Sequence, residues 1–102
     1  MQEENMLTVS DYCKQISELL IACGEGEKAG VFLQLATEYQ TRKKNDVLMR
    51  IKRMFGGMGS FNDLVLYNNG QVAVAENDQL STLREELFDL VSKEIMTFRR
   101  MQ

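Results

Sequence analysis

The chain is 102 residues long, 44% hydrophobic and 26% charged, with a formal net charge of −3 and a sequence pI near 4.9. That suits one globular domain with a single modest core, and it argues against a general nucleic-acid binder, which is usually basic. Histidine and proline are both absent, so no Ser-His-Asp, Cys-His or His-ligated zinc site can be built, and no proline interrupts a helix.

The opening stretch, Met1 to Asn5, is polar and acidic rather than basic and then apolar, unlike a secretory signal. No apolar run reaches membrane-span length. A cytoplasmic chain without a membrane partner is therefore expected. Ser10 is placed to cap a first helix over about residues 10–23, with Asp11 in its first turn. Tyr12, Cys13, Ile16, Leu19, Leu20 and Cys23 recur at helical spacing, and Gly24 follows as a helix-ending C′ residue. Cys13 and Cys23 stand ten residues apart on that helix. At about 1.5 Å of rise per residue they are too distant for a disulfide, so both are expected as reduced, buried thiols.

After a turn loosened by Gly26, a second helix is expected from about Glu27 to Lys43. Its apolar positions are Val31, Phe32, Leu35, Ala36 and Tyr39, with Leu33 beside them. Glu27 at its start and Arg42, Lys43 and Lys44 at its end complement the helix dipole. Asn45 or Asp46 then caps a shorter third helix with the stripe Val47, Leu48, Ile51, Met54 and Phe55. Three glycines, Gly56, Gly57 and Gly59, stop it. The apolar run Leu64 to Tyr67 and the turn signal Asn68-Asn69-Gly70 lead into Gln71 to Val74, as a short β-hairpin or an ordered loop. Asn77 or Asp78 caps the last helix, whose stripe is Leu80, Leu83, Leu87, Leu90, Val91, Ile95 and Phe98. Arg99 and Arg100 close it. The expected fold is all-α in the main: a single domain over residues 1–102, forming a small four-helix bundle with a Gly-rich insert or short hairpin between the third and fourth helices.

The Gly-rich segment lacks the Gly-Lys-Ser/Thr of a phosphate loop, and it leaves a helix rather than a strand, unlike a dinucleotide site. It reads as a tight turn packing Phe55 and Phe61, or as a partner-binding loop. Charge is unevenly spread. Residues 42–59 hold six bases against one acid, residues 1–41 two against seven, and residues 60–102 four against seven. No aromatic residue interleaves with the basic run on an evident exposed face, so a solvated face with internal ion pairs outweighs nucleic-acid contact. Acids on the first two helices and on the last suit a basic protein partner, for which complementary charge raises association rate and specificity. Glu85 and Asp89 are a like-charge pair one helical turn apart, with no cleft to bury them. No catalytic residue, metal or cofactor is expected.

The segment Phe55-Gly56-Gly57-Met58-Gly59-Ser60-Phe61-Asn62-Asp63-Leu64-Val65-Leu66 resembles the core motif of a family of small bacterial proteins catalogued as a domain of unknown function. In that family a helical N-terminal half leads into this motif, then a variable turn, then a C-terminal helix. In size, acidity and lack of catalytic chemistry the chain is also similar in type to the immunity proteins of contact-dependent growth inhibition. Those are cytoplasmic, non-enzymatic and bind one toxin domain, often a nuclease. The resemblance implies a toxin-neutralising binder, with a homo-oligomeric structural or regulatory domain as the alternative. Exposed acids and the unusual turn point to Asn62, Asp63, Glu85, Glu86 and Asp89 as partner-binding residues. Oligomeric state is left open.

Overall fold

The computed structural model describes residues 7–41, 44–55 and 61–100, excepting the Asn62 side chain. Its elements are α1 (Val9–Ala22), α2 (Gly26–Gln40), α3 (Lys44–Met54), a 3₁₀ turn (Phe61–Asp63), β1 (Tyr67–Asn68), β2 (Gln71–Val72) and α4 (Val74–Arg100). The architecture is mainly α, four helices with a two-stranded antiparallel hairpin between α3 and α4. The Gly-rich segment from Gly56 to Ser60, singled out above, lies outside the described residues, as do Arg42 and Lys43.

Thr8, not Ser10, caps α1. Its hydroxyl accepts from the Asp11 N–H at 3.1 Å, and the Asp11 carboxylate accepts from the Thr8 N–H at 2.9 Å, a reciprocal capping box. Ser10 sits inside the first turn, and its buried hydroxyl donates to the Ala36 carbonyl of α2 at 3.2 Å. At the other end Gly24 takes φ +78°. Its N–H donates to the Ile21 carbonyl at 3.1 Å, and the Glu25 N–H to the Leu20 carbonyl at 2.8 Å. Those two bonds are a Schellman closure, and the positive φ explains why glycine stands there. Cys13 is buried and Cys23 half-buried, both as free thiols.

Ser17 repeats what Ser10 does one heptad earlier, donating to the Ala29 carbonyl at 2.9 Å. The pairs Ser10–Ala36 and Ser17–Ala29 run in opposite directions along the two helices, so α1 and α2 are antiparallel. Four small side chains let the backbones approach closely. They also turn α2 so that Ala29, Phe32, Leu35, Ala36 and Tyr39 face inward. Val31, expected in that stripe, is 43% exposed instead, and Leu33 is also exposed.

α2 stops at Gln40, short of the expected Lys43, and α3 is already helical at Lys44. Asn45 and Asp46 therefore lie within the first turn of α3 rather than capping it. The Lys44 ammonium lies 5.2 Å from the Tyr39 ring centroid. Val47, Leu48, Ile51 and Phe55 are buried, as the pattern predicted, with Met54 partly buried.

In the hairpin Tyr67 pairs with Val72 and Asn68 with Gln71. Asn69 (φ 54°) and Gly70 (φ 79°) form its turn, the two positive-φ positions of a type I′ turn. α4 then starts three residues before the expected Asn77 cap. The Ala73 carbonyl accepts the Asn77 N–H at 2.8 Å, which places Asn77 in the first turn with its amide free for another task. Its Oδ1 accepts from the Leu66 N–H at 2.8 Å, while Nδ2 donates to the Leu66 carbonyl at 2.9 Å and the Ala73 carbonyl at 2.8 Å. The side chain thus acts as a short strand that locks fully buried Leu66 to the helix.

α4 spans 27 residues, about 40 Å at helical rise. It buries Leu80, Leu83, Leu87, Val91 and Ile95. Leu90 is only partly buried, and Phe98 is exposed near the end. Two tyrosines fasten α4 to the α1–α2 pair. The Tyr12 hydroxyl donates to Glu86 at 3.1 Å and the Tyr39 hydroxyl to Glu94 at 2.5 Å. Burial, then the neighbouring carboxylate, pushes each phenol above its ordinary range.

Candidate partner-binding site

A row of four rings runs outward from the core. Phe32, fully buried, lies 4.8 Å from Phe61; Phe61 meets Phe55 edge-on at 5.4 Å; Phe55 meets Phe88 at 5.2 Å. The row ends at Phe88, which is 37% exposed on α4. Such offset and edge contacts fix ring orientation as well as burying area. Phe88 therefore presents a rigid apolar face to solvent.

Around that face lies a concavity of about 490 Å³ lined by Phe55, Ser81, Arg84, Glu85, Phe88 and Asp89. Five of the six come from consecutive turns of α4, where residues three and four apart share a side. Glu85 and Asp89 are both exposed. Among the described residues neither makes an ion pair or a hydrogen bond. Arg84 is half-buried and differently occupied. Its guanidinium donates to the Phe61 carbonyl at 3.0 Å and the Leu64 carbonyl at 3.3 Å, and lies 5.6 Å from the Phe61 ring centroid. Burial lowers its pKa, and the charge of Asp63 opposes that shift.

The five residues predicted from sequence are thus divided. Glu85 and Asp89 share the concavity. Glu86, their neighbour in sequence, points to α1 and is engaged by Tyr12. Asp63 is exposed at the end of the 3₁₀ turn, within electrostatic reach of Arg84. Asn62 lies in that turn, but its side chain is outside the described residues. Sequence reading missed Phe88, Ser81 and Arg84. Phe88 carries a usable signal, since it is the one phenylalanine of α4 directly beside a core leucine yet off the apolar stripe.

The basic helix α3 is less available than its composition suggests. Arg50 donates to Glu38 at 2.5 Å, and the shallow groove between α2 and α3 carries Glu38 and Asp46 as well as Arg50 and Arg53. Its charges nearly balance. Among the described residues no group of three or more His, Cys, Asp or Glu is placed to hold a metal ion. No helix of the described residues is long and apolar enough to cross a membrane.

A sequence-family profile described as Domain of unknown function (DUF6966) matches residues 22–74, just over half of the chain. The chain belongs to this family. The DUF6966 match runs from the last residue of α1 to the first of α4, so it covers α2, α3, the 3₁₀ turn and the hairpin. Phe55 lies within it, whereas the α4 residues of the concavity lie beyond it. No curated protein and no solved structure matches the chain.

Proposed function

We propose that this chain is an immunity protein: a non-enzymatic, cytoplasmic binder that neutralises one cognate bacterial toxin domain, a nuclease, by occluding its active site. The observation that carries this reading is the α4 concavity, where an exposed ring stands beside two carboxylates that have no partner of their own among the described residues. An enzyme that handles nucleic acid must present cations to phosphates. An acidic face on its inhibitor steers the encounter and sets register, while an apolar centre excludes water and slows dissociation. Glu85 and Asp89 serve the first role here and Phe88 the second, with Asp63 at the margin.

The test is co-expression of the tagged chain with the neighbouring open reading frame, followed by co-purification and a growth assay. A stable one-to-one complex with a toxin domain, together with growth rescue, supports the proposal. Rescue that survives reversal of Glu85 and Asp89 to lysine removes this face from it. Failure to capture any toxin sinks the reading.

A second reading has an observation of its own. Val65, Tyr67, Val72 and Val74 gather at the hairpin with exposures between 44% and 67%. A structural or regulatory domain would use that patch to self-associate. Sedimentation at high concentration decides it: a monomer excludes the alternative, and a dimer lost on Tyr67→Lys supports it.

A further inference from the structure

Resting on that reading of α4 as the partner-binding face, we propose that the Phe88 concavity receives a single arginine side chain of the partner, its guanidinium stacked on the Phe88 ring and held between Glu85 and Asp89.

Three features converge on this chemistry. The ring is pre-set, because Phe88 is backed by Phe55, Phe55 by Phe61, and Phe61 by Phe32 in the core. A pre-ordered receptor loses less freedom on binding. Next, Glu85 and Asp89 stand one turn apart along the same flank of Phe88 in that concavity and repel each other in the free protein. A cation placed between them relieves that repulsion. Lastly, the same aromatic row already accepts a guanidinium. Arg84 lies over Phe61, one ring beyond Phe55, and is drawn to the Phe61 and Leu64 carbonyls. It is committed to that turn, so the carboxylates by Phe88 are left for an incoming cation.

Arginine fits better than lysine. Its planar guanidinium stacks on a ring and forks across two acceptors, whereas an ammonium is a strongly hydrated point charge. The Ser81 hydroxyl, one turn before Glu85 in the same concavity, supplies a further acceptor. An arginine that holds phosphate on a nucleic-acid-binding surface is then removed from service by the inhibitor itself.

The test needs no toxin. The full ¹⁵N-labelled chain is titrated at low salt with N-acetyl-Gly-Arg-Gly-amide, and with counterparts carrying lysine or citrulline, the uncharged isostere of arginine. Amide shifts centred on residues 81–89, with citrulline binding at least about tenfold more weakly, are expected, since charge-assisted pairs are roughly twice as strong as neutral ones. Phe88→Leu preserves an apolar side chain and should weaken the arginine peptide by about two- to fivefold, the size of an exposed cation–π contact, while erasing the preference over lysine. Glu85→Gln with Asp89→Asn should abolish the response. Equal binding of citrulline overturns the proposal. So do shifts spread over all acidic side chains that Phe88→Leu leaves unchanged, and so does the absence of any shift. A chain that rescues cells yet ignores the peptide keeps its immunity role and loses the arginine receptor. One that binds the peptide but captures no toxin does the reverse.

Discussion

Asn77→Ala probes the junction between the hairpin and α4 at one side chain. The amide makes three hydrogen bonds of 2.8–2.9 Å. On truncation the Leu66 carbonyl keeps the Ala73 N–H at 3.0 Å, and the Ala73 carbonyl keeps the residue-77 N–H at 2.8 Å. The Leu66 N–H, in a residue with no exposed surface, keeps nothing. A buried donor left without an acceptor costs about 1–3 kcal/mol, and each lost bond whose partner stays satisfied about 0.5–1.5 kcal/mol. Alanine's better helix propensity returns about 0.6 kcal/mol. A net loss of about 3 kcal/mol, near the middle of the summed range, is expected, which for a domain of this size lowers Tm by about 12–24 °C. Asn77→Asp retains the acceptor for Leu66 N–H but turns an oxygen toward two carbonyls, so it should also stay well below the parent at neutral pH. Thermal and urea unfolding followed by circular dichroism give the stabilities, and hydrogen exchange at the Leu66 amide reads the orphaned group directly. A change under about 0.5 kcal/mol, the range of ordinary surface substitutions, would refute the reasoning.

Thr8→Ala should destabilise by about 1 kcal/mol through loss of the α1 cap. The Asp11 carboxyl is held below its ordinary value of 3.8 by the Thr8 N–H first and the Thr8 hydroxyl second. Because the folded value is the depressed one, this contribution is complete above about pH 3.8 and fades as pH falls through the folded value; Thr8→Ala keeps the Thr8 N–H and loses a pH-independent bond from the Asp11 N–H, so both proteins should lose stability in acid and the gap between them should narrow only slightly. Burial pushes the Cys13 thiol up to about 12, so a thiol reagent on the native protein should label Cys23 alone, with Cys13 reacting only after unfolding. Ser17→Ala should cost about 1 kcal/mol for its lost bond to Ala29, and Ser17→Leu more, because four small side chains set the distance between α1 and α2; equal melting temperatures for the two variants would contradict that packing.

Local periodicity and turn chemistry carry most of this architecture. The α4 stripe from Leu80 to Ile95, the Gly24 helix end and the Asn69-Gly70 turn are all written in neighbouring residues and appear where they were expected, although Leu90 is only partly buried and Phe98 is exposed. What went unread depends on contacts far along the chain. Ser10 and Asn77 are good cap residues by type, but one hydroxyl is drawn to Ala36 and one amide to Leu66. The capping box was nonetheless visible as Thr8 three residues before Asp11. Val31 was expected inside because it is apolar, yet the small-residue seam between α1 and α2 gives its place to Ala29. In the site, acidic composition singled out Glu85, Glu86 and Asp89 together. A helix turns about 100° per residue, so Glu86 faces α1 while its neighbour faces solvent. Phe88, the ring that makes the concavity, stands out in sequence only as a phenylalanine beside core Leu87 and off the apolar stripe; its backing by Phe55, Phe61 and Phe32 becomes visible once the aromatic row is assembled in three dimensions.

The tyrosine clasps have a consequence for how the molecule responds to ionic strength. Tyr12–Glu86 and Tyr39–Glu94 hold α4 through neutral phenols, and the described residues form two ion pairs, both with partners reaching solvent. Added salt screens exposed charges within about 10 Å at 0.1 M and touches hydrogen-bonded phenols far less. Glu85 and Glu86, adjacent in sequence, therefore fall on opposite sides of that divide. One belongs to the proposed recognition, which salt can silence, the other to an architecture that salt leaves standing.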